Sequence, residues 1–157
     1  MHLPIIFSKA LAADAQALSC LIDASIRLGC VPDHGNDPQI LADWLSNKSP
    51  AALAGWIDDA ALAVRVARCQ GRPIAVAIAL RSGEICQCHV APEYSRQGLG
   101  RAVVSDLESQ LQAWGLTRAT LYSTGSAQGF FHRLGYRCSG AALLFHGLRL
   151  RPMEKTW

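Results

Sequence analysis

The segment with the most chemical content runs from Glu84 to Val104. An apolar stretch, Ile85-Cys86-Gln87-Cys88-His89-Val90, leads through Pro92 into a turn with glycines at 98 and 100. An amphipathic pattern begins at once after it. A strand feeding a helix through such a turn leaves the first N–H groups of the helix without intrahelical partners. The helix dipole favours negative charge there, and glycines let an anion approach the backbone closely. Arg96 and Arg101 flank the turn and can supply positive charge. The chemistry indicated is phosphate binding; the structural alternative is a tight turn between solvated arginines. Two other phosphate motifs are excluded. A dinucleotide fingerprint needs a small residue where Val103 stands, and no Gly-Lys-Ser/Thr triplet occurs.

Glu84 opens the same stretch. A carboxylate there serves either as an acid-base group, if its surroundings suppress its charge, or as a solvated strand end after the Ser82-Gly83 turn. His89 is the rival base, although a lone strand histidine is more often structural. Cys86 and Cys88 stand two apart and on a regular strand share one face, which reads as packing rather than redox chemistry.

These residues need a scaffold, and the chain is long enough for one domain, spanning residues 1–157. Half of its 157 residues are hydrophobic and 17% are charged, so it folds around a core without needing a disulfide or metal staple. The six cysteines include no Cys-x-x-Cys pair and no histidines at finger spacing, so no metal site is expected. The apolar stretch from Met1 to Phe7 is short and lacks a basic leader, and no apolar run reaches membrane-spanning length. The expectation is a cytoplasmic protein with reduced thiols and no membrane partner. The net charge of +3 is too mild for a nucleic-acid surface.

Leu3 to Ser8 reads as a strand. Asp14 is placed to cap a helix with apolar positions at Ala17, Leu18, Leu21, Ile22 and Leu28, stopped at Gly29. Asp37-Pro38 and Ser49-Pro50 start two short helices carrying Trp44 and Trp56. Leu62 to Arg68, Pro73 to Leu80 and Glu84 to Val90 are three neighbouring antiparallel strands. Val103, Val104, Leu107, Leu111 and Trp114 share a helix face closed by Gly115. Ala119 to Thr124 is a strand and Ala127 to Leu134 a short helix. Tyr136 to Phe145 and Leu148 to Glu154 are the last two strands.

The run from Val90 through Pro92 to Ala102, followed about thirty residues on by Ala127-Gln128-Gly129-Phe130-Phe131-His132-Arg133-Leu134-Gly135-Tyr136, resembles the GNAT superfamily of acetyl-CoA-dependent N-acetyltransferases. The resemblance implies an α/β fold: a mixed, mostly antiparallel sheet of six to seven strands flanked by helices, with a splayed strand at 84–90. It implies acetyl-CoA as cosubstrate. Its pyrophosphate would lie on the family loop, which here falls on Ser95, Arg96, Gln97, Gly98, Leu99 and Gly100 and continues into Arg101 and Ala102. Ser95 departs from the usual Gln or Arg. Cys88, His89 and Val90 would offer free backbone to the pantetheine arm and the thioester carbonyl. Glu84 corresponds to the general base of some members.

The tyrosine that usually protonates the thiolate is replaced by Phe131, which with Phe130 packs against the pantetheine or the core. Water, Tyr122, Ser123, Thr124 or no acid at all would then serve. Tyr136 reads as a wall. Trp44 and Trp56 either line the acceptor pocket or pack helices. Two functions follow from the resemblance. One is transfer of acetyl to a small-molecule or peptide amine by direct attack in a ternary complex. The other is a non-catalytic acyl-CoA-binding sensor or structural module. Nothing in Phe145 to Trp157 decides between a monomer and a homodimer.

Overall fold

The computed structural model describes residues 3–157; Met1 and His2, the start of the apolar N-terminal stretch, lie outside the described residues. The strands are β1 (Ile5–Lys9), β2 (Leu62–Cys69), β3 (Arg72–Leu80), β4 (Glu84–Val90), β5 (Arg118–Thr124), β6 (Arg137–Cys138), β7 (Leu143–Phe145) and β8 (Leu148–Thr156). The helices are α1 (Ala15–Gly29), α2 (Val31–His34), α3 (Pro38–Leu45), α4 (Pro50–Asp58), α5 (Leu99–Ala113) and α6 (Gln128–Arg133). All strands join one sheet in the order β1-β2-β3-β4-β5-β8-β6, with β7 beside β8. Every pairing is antiparallel except β4 with β5. This is the α/β single-domain architecture expected, with eight strands instead of six to seven. The extra strand arises because Tyr136 to Phe145, read as continuous, breaks at Ser139 to Ala142 into β6 and β7.

The sheet is buried on both faces. Ala75, Ala77 and Ala79 of β3 lie against Leu99, Val103, Val104, Leu107 and Leu111 of α5. Val76 and Ile78 meet Leu18, Leu21, Ile22 and Ile26 of α1 and Leu53 of α4 on the other side. Alanines on one face let α5 approach closely, and each fully buried leucine of α5 contributes roughly 1.5–3 kcal/mol relative to exposure. Asp37 and Ser49 cap α3 and α4 as their sequence signals require, Asp37 accepting from the N–H groups of Gln39 and Ile40 and Ser49 from that of Ala52. Asp14 stands at the N-cap of α1 but makes no side-chain cap. Its carboxylate instead takes the Arg68 guanidinium, at 2.5 and 2.8 Å, and the Leu11 N–H at 2.6 Å. The Arg68 bond holds Asp14 below the usual carboxylate range, and a charge-assisted fork outweighs a neutral cap.

Two irregularities shape the site. First, β4 pairs with β5 only at Glu84↔Thr120 and Ile85↔Leu121. Beyond Ile85 the two strands part, which is the splay expected for 84–90. Secondly, β4 carries one residue more than β3 between the pairs Ile78↔Gln87 and Ala79↔Ile85, a bulge at Cys86. The bulge reverses the alternation. Cys88 packs against the α5 core, whereas Cys86 lies where the Lys48 charge acts on it. The two cysteines therefore do not share a face, contrary to the reading for a regular strand.

Gly83 forms the closed end of the splay. Its φ is +98°, and a Cβ there would stand 2.7 Å from the Arg118 carbonyl oxygen. That close approach admits the bond from the Thr120 N–H to the Gly83 carbonyl, 3.0 Å, beside the first β4–β5 pair. Gly83→Ala is expected to destabilise by about 1–3 kcal/mol, from strain and the backbone clash. Gly29→Ala, where nothing lies within 4 Å, should be neutral or slightly stabilising. Urea unfolding of both variants measures the contrast.

Candidate active site

The parting of β4 and β5 opens a cleft of about 570 Å³. Cys86, Gln87, Cys88 and His89 form one wall, and Leu121, Tyr122, Ser123 and Thr124 the other. The far side is closed by Ser25 of α1, Trp44 of α3 and Lys48 of the α3–α4 connection, together with Phe145 and His146 from the tip of the β7–β8 hairpin. Of the residues given a catalytic or cofactor role by the resemblance, Glu84, Cys88, His89 and Phe131 line this cleft, whereas Val90 and the loop from Ser95 to Ala102 do not. Glu84 sits half-buried beside its narrow end, at the first β4–β5 pair.

Past the outer end of β4, Pro92 to Tyr94 make a turn, and Ser95 to Gln97 run exposed to the start of α5. Arg96 takes φ +61° and Gly98 φ +80°. These left-handed residues turn the chain so that α5 begins with Gly98 as N-cap and no side-chain cap. The first intrahelical bond is from the Ala102 N–H to the Gly98 carbonyl, 3.1 Å. The N–H groups of Leu99, Gly100 and Arg101 have no acceptor among the described residues, as required for an anion seat. Leu99 is buried and anchors the turn in the core. A Cβ on Gly100 would lie 3.2 Å from the Phe130 ring, so α6 approaches the loop closely at this glycine. Arg96 and Arg101 are exposed and form no ion pair among the described residues.

The cleft wall contains a hydrogen-bonded chain that sequence reasoning missed. His89 Nε2 lies 2.8 Å from Gln87 Oε1, and His89 Nδ1 lies 3.0 Å from Ser25 Oγ. With the amide oxygen as acceptor, the ring carries its proton on Nε2, and Nδ1 accepts from the Ser25 hydroxyl. Burial, and secondarily the Lys48 charge, push His89 down to about 3. It is therefore neutral at physiological pH and unsuited to accept a proton there. No spacing in the sequence could pair Ser25 with a histidine 64 residues away.

Lys48 is the second residue that the sequence concealed. It is 7% exposed, and burial pushes its ammonium down to about 8. Cys86 opens onto the cleft, yet the protein around its thiol and then the Glu84 carboxylate push it up to about 11. Burial raises Cys88 to about 12. Both thiols stay protonated, which fits packing and not nucleophilic chemistry.

Phe131 is buried, with its ring edge-on to Phe130 at 4.9 Å and to Tyr136 at 5.6 Å. The Tyr136 hydroxyl donates to Glu108 Oε2 at 2.6 Å. Burial and that bond lift its pKa far above the usual phenol value and make it a core residue. Ser123 Oγ donates to the Thr124 carbonyl at 2.8 Å, whereas Tyr122 is 53% exposed and borders the cleft. Trp44 lines the cleft and stands edge-on to His34; Trp56, which does not line the cleft, packs against the α1–α4 core.

Residues 31–157, which include the splayed strand and the uncapped helix start, match the model of the acetyltransferase (GNAT) domain family. The chain belongs to the GNAT acetyltransferase family. It is 36% identical over 61 residues to the uncharacterized protein YyaT of Bacillus subtilis, a match that spans 39% of this chain and 40% of that relative. The fold is that of a GCN5-related N-acetyltransferase from Rhodopseudomonas palustris, with TM-score 0.86 and 22% identity over 100% of this chain and 99% of that one. The PaiA N-acetyltransferase of Thermoplasma acidophilum, solved with coenzyme A, superposes with TM-score 0.83 and 15% identity over 99% of this GNAT chain and 100% of its own. Among the described residues no helix is long and apolar enough to cross a membrane, and no group of three or more His, Cys, Asp or Glu side chains is placed to hold a metal.

The depressed pKa of His89 gives a pH signature. The unfolded chain's imidazole titrates near 6.5, so between there and about 3 the unfolded state binds a proton that the native state refuses. Stability falls as pH drops through that window. The loss of Tm from about pH 7 to about pH 4 should be smaller in His89→Gln than in the unsubstituted protein. Equal losses in differential scanning calorimetry would place His89 outside the acid response.

Proposed function

We propose that the protein transfers an acetyl group from acetyl-CoA to a primary amine by direct attack in a ternary complex. The observation that supports this reading is the splay: β4 has no β5 partner beyond Ile85, Glu84 lines the cleft so opened, and the chain beyond β4 runs on to the uncapped start of α5. Acetyl-CoA supplies the activated acyl group. The N–H groups of Leu99, Gly100 and Arg101 would hold its pyrophosphate, with Arg96 and Arg101 adding charge, whereas the Ala102 N–H is engaged with the Gly98 carbonyl. The main chain of Cys88, His89 and Val90 would pair with the pantetheine arm. An N–H from that strand, aimed at the thioester carbonyl, would stabilise the developing oxyanion by about 2.7–4 kcal/mol.

The acceptor ammonium must lose a proton before it attacks, and the proposal assigns that proton to Glu84, which with Asp43 supplies the cleft's carboxylates. Phe131 gives no proton to the departing sulfur, and the Ser123 hydroxyl is engaged with its own strand. Tyr122 and Thr124 remain as hydroxyl-bearing residues at the cleft. A thiolate with pKa near 8.5 also leaves without assistance. Free thiols fit the cytoplasm, where cysteines stay reduced.

A second reading, an acyl-CoA-binding module without turnover, is favoured by Phe131 and Ser95. Thermal-shift titration with coenzyme A followed by thiol release from acetyl-CoA across polyamines, aminoglycosides, amino acids and peptide N-termini separates the two. Release with at least one amine supports transfer; binding without release across the panel supports the module. Glu84→Gln is expected to lower kcat by about 10²–10⁴-fold while leaving coenzyme A affinity unchanged. An undiminished kcat would remove Glu84 from the reaction.

A further inference from the structure

Lys48 is a buried cation on the acceptor side of the cleft with no opposite charge beside it. Its Nζ donates to the Trp44 carbonyl at 2.5 Å and to Asn47 Oδ1 at 2.8 Å. Both partners are neutral, and Lys48 forms no ion pair among the described residues. The Trp44 bond explains how the side chain is held, because it satisfies a carbonyl at the C-terminal end of α3. It does not explain why a charge is kept there, since two of the three ammonium donors are used and neither on an anion. The charge is felt within the cleft, where it lowers the pKa of both Cys86 and His89 on β4. The cleft carboxylates are placed otherwise. Asp43 lies 3.6 Å from His146 and accepts from Gln39, and Glu84 stands at the closed end of the splay.

A buried ammonium held only by two neutral acceptors has its lost hydration replaced in part, and a ligand carboxylate would restore the balance. One lysine in a cleft that also holds Glu84 and Asp43 suits a single negative charge better than a phosphate dianion. We propose that Lys48 binds a carboxylate of the acceptor, so that the substrate is an amine bearing its own carboxylate, as in an amino acid. This rests on the acetyl-transfer reading for the role of the ligand, but not for its binding.

The test has a binding arm and a kinetic arm. The chain has three lysines, Lys9, Lys48 and Lys155, so protein labelled with 13C at lysine Cε gives a resolvable NMR titration, with Lys48→Met assigning the signal. Acetate and N-acetylglycine, with and without coenzyme A, should raise the Lys48 pKa from about 8 by about one unit, a tenfold change. Acetamide and N-acetylglycinamide should leave it in place. In the kinetic arm, alanine should exceed ethylamine, and lysine exceed cadaverine, by at least about tenfold in kcat/KM. Lys48→Met should abolish the preference, and Lys48→Arg retain part of it. A Lys48 signal unmoved by either carboxylate overturns the proposal, as does equal use of the paired amines or a preference for phosphoethanolamine. If carboxylates move Lys48 while no amine is acetylated, the transfer reading fails and the carboxylate site stands.

Discussion

The structure turns on where two parallel strands stop pairing. β4 and β5 share two residue pairs and then separate, so the middle of an otherwise continuous sheet presents main-chain donors and acceptors to a cleft. Buried backbone groups ordinarily find partners within the protein. Here the sheet itself withholds them, and in the proposed function an extended ligand takes their place. The separation is built from the Cys86 bulge and from the Gly83 contact, which holds the closed end together. Everything catalytic in the proposal is arranged around that opening.

The second organising feature is the desolvation of the titratable groups around the cleft. Burial keeps His89 neutral and Lys48 close to losing its proton, and the thiols of Cys86 and Cys88 stay protonated. Several charges elsewhere in the molecule are paired conventionally. Asp14 with Arg68, Arg65 with Asp106 and Lys155 with Glu108 tie helices to strands at the sheet margins. The contrast between these pairs and the buried Lys48, which has no carboxylate partner, separates residues that stabilise the fold from one available to a ligand.

Much of this is legible in the residues alone because the signals are local. Proline after a capping residue sets the starts of α3 and α4, and the apolar face of α5 comes directly from its period. The glycines at 98 and 100 mark the uncapped helix start. The failures are equally physical. A bulge is invisible to a period-two argument, which therefore puts Cys86 and Cys88 on one face. Asp14 reads as a cap because the guanidinium that claims it lies 54 residues away. Tyr136 to Phe145 has the composition of one strand, but the chain between Ser139 and Ala142 divides it.

By itself, the sequence determined the central strands, the longer helices, the glycine turn before α5 and the family, since each depends on neighbours within a few residues or on two motifs in fixed order; the short α2 and the division of β6 from β7 were not legible in it. Tertiary structure alone decided what faces the cleft. Ser25, Lys48 and Tyr122 come from three separate elements, and their meeting depends on how α1 and the α3–α4 connection pack over the parted strands. The perturbed acidities of His89 and Lys48 were beyond any reading of the chain for the same reason. They arise from desolvation, a property of the surrounding volume and not of the residue.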